Sequence, residues 1–259
     1  MLPTELPERF ASLELSDWVL LVAAPFVGSF LGVVIHRVPE NRPIVWARST
    51  CAACGVKLTA CDLVPLFSWL LARGRCRHCG HALGWFYPAI ELAALAVAAI
   101  AIAVDGSEQA WLDCLFGWWL LALAWIDLGH LRLPDVLTLP LLVVGLIAAA
   151  AFDPEGLADR AAAAALGYVV LRVVAEVYRR LRRREGLGQG DAKLFAAAGA
   201  WLGIAALPQV ILLAALAALI AAAGLSLSGT RLRAYTALPF GPFLALASWS
   251  IWLFGLVPL

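Results

Sequence analysis

Two aspartates stand where an apolar chain solvates them poorly. Asp127 closes the run FGWWLLALAWID (116–127), and Asp191 opens another inside GLGQGDAKLFAAAGAWLG (186–203). A carboxylate beside a bilayer is costly and usually marks a functional site. Two such groups held together can share one proton and activate water, because neighbouring like charges push their pKa values apart. That is the chemistry of an intramembrane aspartic protease. Either residue alone also suits a helix end, and Asp191 suits a helix amino terminus, where the dipole and free N–H groups favour an anion. Gly188 and Gly190 are expected to supply active-site backbone, since glycine turns tightly and lets a peptide approach without side-chain obstruction. Asp135, in LPDVLTLP (133–140), rivals Asp127, although its place after Pro134 reads as an N-cap.

A second constellation lies upstream. Cys51-Ala-Ala-Cys54 and Cys76-Arg-His-Cys79 form two CxxC pairs with 21 residues between them. Four thiolates at that spacing can close tetrahedrally around zinc, and Gly55 and Gly80 permit the tight knuckle turns. Such a site leaves no open position for water, so its role is structural. Cys61 and Cys114 are expected to be ordinary apolar residues, and His78 and His81 solvated loop histidines rather than ligands. Between the knuckles, the run from Leu63 to Leu71 is too short to span a membrane and is expected to pack against the membrane-facing side of the zinc module. Glu91 falls about one turn inside the next apolar run, where it reads either as a buried hydrogen-bonded residue or as part of a ligand site.

The elements that must position these groups follow from composition. Hydrophobic residues make up 63% of the chain and charged residues 14%, with one net positive charge, which marks a polytopic all-α membrane protein. Apolar runs of roughly spanning length predict about eight helices, at 17–36, 87–104, 111–126, 136–152, 160–178, 191–206, 207–226 and 238–257. The boundary between the sixth and seventh rests on Gly203 and Pro208. The first run lacks the features of a removable signal peptide and is expected to stay as a helix. The parts are therefore 1–36 as outward amino terminus and first helix, 37–86 as a loop carrying the zinc module, and 87–259 as a seven-helix domain carrying the aspartates. Tryptophans such as Trp111, Trp118, Trp125 and Trp252 suit interfacial belts and packing.

Orientation follows from basic residues. Arg37, Arg42, Arg48, Lys57, Arg73, Arg75 and Arg77 crowd the long loop, and Arg179, Arg180, Arg182, Arg183 and Arg184 follow the fifth run. Arg132, Lys193, Arg231 and Arg233 share that face, which is cytoplasmic; both termini are then outside. The opposite connections carry Asp105, Glu108, Asp153, Glu155 and Asp159, with Arg160 against the trend. These arginines orient the chain, and no nucleic-acid role is expected. With this topology Asp127 and Asp191 meet at one membrane face, and the cysteines lie in a reducing compartment that disfavours disulfides.

The chain resembles the prepilin peptidases, or type IV leader peptidases, over nearly its whole length. GSFLGVVIHRVP (28–39) is similar to the first-helix signature of that family. The CxxC pairs with RGRCRHC and then YPAIE (87–91) are similar to its cytoplasmic loop and the start of its second helix. AWIDLGHLRLPDVLTLP (124–140) and GLGQGDAKLFAAAGAWLG resemble its two aspartate motifs, and LPFGPFLA (238–245) its last helix. Gly32 departs from the pattern, where such proteins commonly carry Asn. The resemblance implies an inner-membrane enzyme that cuts the basic leader from type IV prepilins or type II secretion pseudopilins on the cytoplasmic side. It further implies methylation of the new amino terminus with S-adenosylmethionine, through the loop, and it maps the catalytic pair to Asp127 and Asp191. Two other classes compete. A transporter or proton channel would use the aspartates as a relay, and a scaffold would bind partners through the zinc loop. The relay leaves the cysteines idle and the scaffold leaves the aspartates idle.

Overall fold

A computed structural model describes residues 13–46, 48–184, 186–228 and 238–256. Arg231, Arg233, the amino terminus through Ser12 and the last residue of the final expected run lie outside the described residues. Among those described, every regular element is helical, apart from two isolated bridges in the cysteine loop. Eight helices have 14 residues or more: α1 Leu15–Arg37, α2 Phe86–Asp105, α3 Ser107–His130, α4 Asp135–Phe152, α5 Leu157–Arg182, α6 Gln189–Leu202, α7 Leu207–Leu227 and α8 Gly241–Phe254. Each coincides with one of the expected runs. Six of these segments are long and apolar enough to cross a membrane. At 14 residues each, α6 and α8 are only ~21 Å long, short of a hydrocarbon core of about 30 Å.

The chain forms two compact units, Met1–Trp118 and Trp119–Leu259. In the first, α1 packs along α2. Gly28 makes this possible: a Cβ there would stand 2.6 Å from the Cα of Glu91. Trp118 serves packing, its indole N–H donating to the Ala94 carbonyl at 2.9 Å. The loop from Val38 to Trp85 belongs to this unit and is anchored to it, Arg37 donating to the carbonyls of Pro43 and Ile44.

In the second unit α6 is central, packed by α4, α5 and α8. Its sequence allows this, because small residues let backbones approach closely where lipid supplies no hydrophobic drive between helices. A Cβ on Gly199 would lie 2.7 Å from the Ala163 backbone of α5, and one on Gly145 of α4 would strike the Trp201 ring at 2.5 Å. The Trp201 indole donates to the Leu141 carbonyl at 3.0 Å, tying α6 to α4. Gly203, at φ +85°, ends α6, and α7 begins with Pro208 in its first turn, so the long apolar run divides where those two residues predict. Arg160, the exception to the charge pattern, has a local task. It pairs with Asp153 at 3.0 Å and donates to the Trp201 carbonyl, satisfying the carboxyl end of α6.

Candidate active site and metal centre

Asp127 lies near the end of α3, and Asp191 is the third residue of α6. Both are buried, at 5% and 8% exposure, and close enough for the charge of Asp127 to act on Asp191. Each carboxylate is held by a backbone N–H of a glycine. Asp191 Oδ2 accepts from Gly188 at 3.0 Å, across the first turn of its own helix. Asp127 Oδ2 accepts from Gly241 at 2.9 Å, at the first residue of α8. The structure thus brings Asp127, Asp191, Gly188 and Gly190 together and adds Gly241, which sequence reasoning gave no task. Its signal was the glycine of LPFGPFLA, but the partner stands 114 positions away.

Neither Gly188 nor Gly190 owes its place to a left-handed turn, and the φ of Gly188 is an ordinary −67°. What they supply is room. A Cβ on Gly188 would lie 2.9 Å from Asp191 Oδ2, one on Gly190 2.7 Å from Leu133 Cβ, and one on Gly241 2.8 Å from Asp127 Oδ2. Asp135 also differs from expectation. Pro134 holds the N-cap position of α4, and the exposed Asp135 carboxylate pairs instead with Lys193 of α6.

The four cysteines of the loop converge, their sulfurs all lying within 4.8 Å of one another. Cys51 Sγ and Cys79 Sγ are 3.9 Å apart, close to the sulfur–sulfur separation of about 3.8 Å that Zn–S bonds of about 2.3 Å impose on a tetrahedron. The two knuckles repeat one fold. Gly55 N–H returns to the Cys51 carbonyl and Gly80 N–H to the Cys76 carbonyl, each at 2.9 Å, with φ of +69° and +71°. Backbone N–H groups of Cys54 and then Ala53 hold the Cys51 thiol down at about 6, and those of Cys79 and His78 lower Cys76. These two thiols are thus poised as thiolates, as a metal requires, whereas Cys79, despite the His81 N–H, is raised to about 11 by burial and its neighbouring thiols. His78 and His81 are exposed and outside the cluster. Cys114 is buried as expected, whereas Cys61 is exposed.

Beside the knuckles, the first unit encloses a cavity of about 490 Å³ lined by Glu40, Asp62, Trp69, Tyr87 and Glu91 among others. The Thr59 hydroxyl, then its N–H, hold the Asp62 carboxyl below the usual range. Glu91 is buried, accepting from the Leu66 N–H at 2.7 Å. It is thus both hydrogen-bonded and part of a cavity wall.

A profile of the type IV leader peptidase family matches residues 114–223, and one of the bacterial peptidase A24 N-terminal domain matches residues 22–104. The prepilin leader peptidase/N-methyltransferase of Burkholderia pseudomallei (strain 1026b) is 41% identical, across 91% of this chain and 84% of its own length. The proteins of that name from Aeromonas salmonicida (strain A449) and Pseudomonas aeruginosa PAO1 are each 38% identical, across 88% of this chain and 87% of their own. No solved structure matches. Together with the apolar helices, these matches define a multi-pass membrane enzyme of a protease family. The chain belongs to the type IV leader peptidase family.

Proposed function

We propose that this chain cuts the leader from type IV prepilins or type II secretion pseudopilins and methylates the amino terminus so formed, with Asp127 and Asp191 as its catalytic carboxylates. The observation that carries the reading is the buried pair itself, two carboxylates in electrostatic contact, each fixed by a glycine N–H, in a chain of this family. One ionised carboxylate takes a proton from water while the other donates to the scissile carbonyl or the leaving amine. The protons belong to the pair, so the roles are those of a dyad. Gly188 and Gly190 form the active-site backbone by admitting the Asp191 carboxylate and the Leu133 segment. A relay for transport gains no support from the relatives named above, which carry the peptidase name.

Cys51, Cys54, Cys76 and Cys79 would hold a structural zinc. Methyl transfer draws on S-adenosylmethionine, which supplies a methyl group activated on a cationic sulfonium. The cavity beside the knuckles is where that donor would bind: Glu91 offers a carboxylate to its cationic groups and Trp69 and Tyr87 offer aromatic faces, while Glu40 and Asp62 in the same wall pair with Arg42 and Arg77. The loop is placed in the cytoplasm and both termini outside the bacterial inner membrane, on the strength of the arginines around it.

The test is purified full-length protein incubated with a prepilin, with the products read by mass spectrometry. Asp127→Asn and Asp191→Asn should each lower cleavage by at least about 100-fold while the protein still inserts. Asp135→Asn should retain most activity. Substantial turnover by either of the first two removes that residue from the mechanism, and a dead Asp135→Asn transfers the role.

A further inference from the structure

Between the cysteine pairs, a short helix, Phe67–Leu71, presents an apolar face that none of the described residues covers. Phe67, Leu70 and Leu71 fall at positions i, i+3 and i+4, which share one side of a helix, and they are 67%, 67% and 75% exposed. Trp85, the residue before α2, is 74% exposed. Ser68 and Trp69 take the inner side. The run Leu63–Leu71 thus meets the module through Ser68 and Trp69, while its three large apolar side chains stay exposed.

Two pins fix how deep this face lies. The 20 residues of α2 make a rod of about 30 Å, which matches the hydrocarbon core and puts Phe86 at its edge. Glu91 is therefore ~7 Å inside that edge. Its carboxylate accepts the N–H of Leu66, the residue that opens the short helix, at 2.7 Å. That bond keeps the helix level with the first turns of a membrane-spanning element. At the other side, the Trp69 indole donates to the Gly84 carbonyl at 2.9 Å, and its ring meets that of Trp85 at 4.5 Å. Leu66 itself takes a φ of +60°, which a leucine adopts only where its surroundings hold it. The exposed Arg73 and Arg75 follow directly, as basic residues do beside anionic headgroups.

We infer that Phe67, Leu70, Leu71 and Trp85 insert into the leaflet facing the cysteine module, so that the loop is an interfacial, membrane-docked element. The occupant of the face is lipid. Its depth is continuous with the boundary of α2, and an aromatic residue at a span end with an apolar helical face beside it is the pattern of interfacial anchoring. Neither the dyad nor the identity of the methyl donor enters this inference.

The experiment uses full-length protein in liposomes of phosphatidylethanolamine and labelled phosphatidylglycerol. A photo-crosslinking side chain is placed at Leu70, and in a second preparation at Lys57, exposed in the same module. The Leu70 position should capture at least about fivefold more lipid than the Lys57 position, as insertion into the headgroup and acyl boundary demands. Leu71 gives an independent second position should the first fail to fold. Equal lipid capture at 70 and 57 overturns the inference. So does a cross-link that goes to added prepilin in place of lipid, which would make the face a substrate dock.

Discussion

A carboxylate that moves protons beside a lipid phase must be held still, and both aspartates are held by the same device. In each case the donor is a glycine N–H, at 3.0 Å for Asp191 and 2.9 Å for Asp127, and in each case the glycine has no space for a Cβ. A methyl group added there presses on the carboxylate and not on the backbone. Gly188→Ala, at the N-cap of α6, and Gly241→Ala, at the first residue of α8, should leave the helices formed, at a cost of about 1 kcal/mol or less. Displacing the carboxylate by about half an ångström should still lower kcat on the order of 10-fold. Cleavage kinetics beside a melting curve check this, and wild-type kcat in both variants would refute the positioning role. Asp135 shows the contrast: its exposed carboxylate pairs with the part-buried cation of Lys193, a pair at the surface that contributes little to stability.

The elements divide the work between apolar rods and one polar knot. Replacing Cys51 or Cys76 with Ser removes a buried corner of the four-sulfur cluster, so each variant should lose zinc, while Cys61→Ser should keep it. Metal analysis of fresh, reduced protein should find about one zinc per chain, and finding none would end the proposal. Because backbone N–H groups hold Cys51 down at about 6, its thiolate persists at neutral pH. The metal should stay bound there and be released in acid, where protons compete for the sulfurs. The rods were legible because runs of spanning length leave helix as the one structure lipid tolerates, and the knuckles because spacing and glycine φ are local. The bond from Gly241 to Asp127 was not legible, since it joins helices far apart in sequence. Nor was the depth of Phe67–Leu71, because it hangs on the hydrogen bond of Leu66 to Glu91, which no periodicity announces.

At the scale of the molecule, the two proposed sites fall in different compact units. Asp127 and Asp191 belong to Trp119–Leu259, whereas the cysteine cluster and the cavity beside it belong to Met1–Trp118. Cleavage needs a carboxylate pair. Methyl transfer needs a bound sulfonium donor and a deprotonated amine, neither of which calls on that pair. The activities should therefore separate. Asp191→Asn should still methylate a pre-cut pilin supplied with S-adenosylmethionine, and Cys51→Ser should lose methylation before cleavage. Gly32 sharpens the test. A Cβ there would rest against the rings of Tyr87 and Phe86 at 3.4 and 3.5 Å, so Gly32→Asn adds an amide next to Tyr87, a wall of the cavity. It should change methylation while sparing cleavage. Mass spectrometry of the pilin amino terminus reads both reactions at once. Wild-type protein that leaves the terminus cut but unmethylated, with donor present, would make this chain a peptidase alone. An Asp191→Asn variant that loses both reactions equally would place the two chemistries in one site.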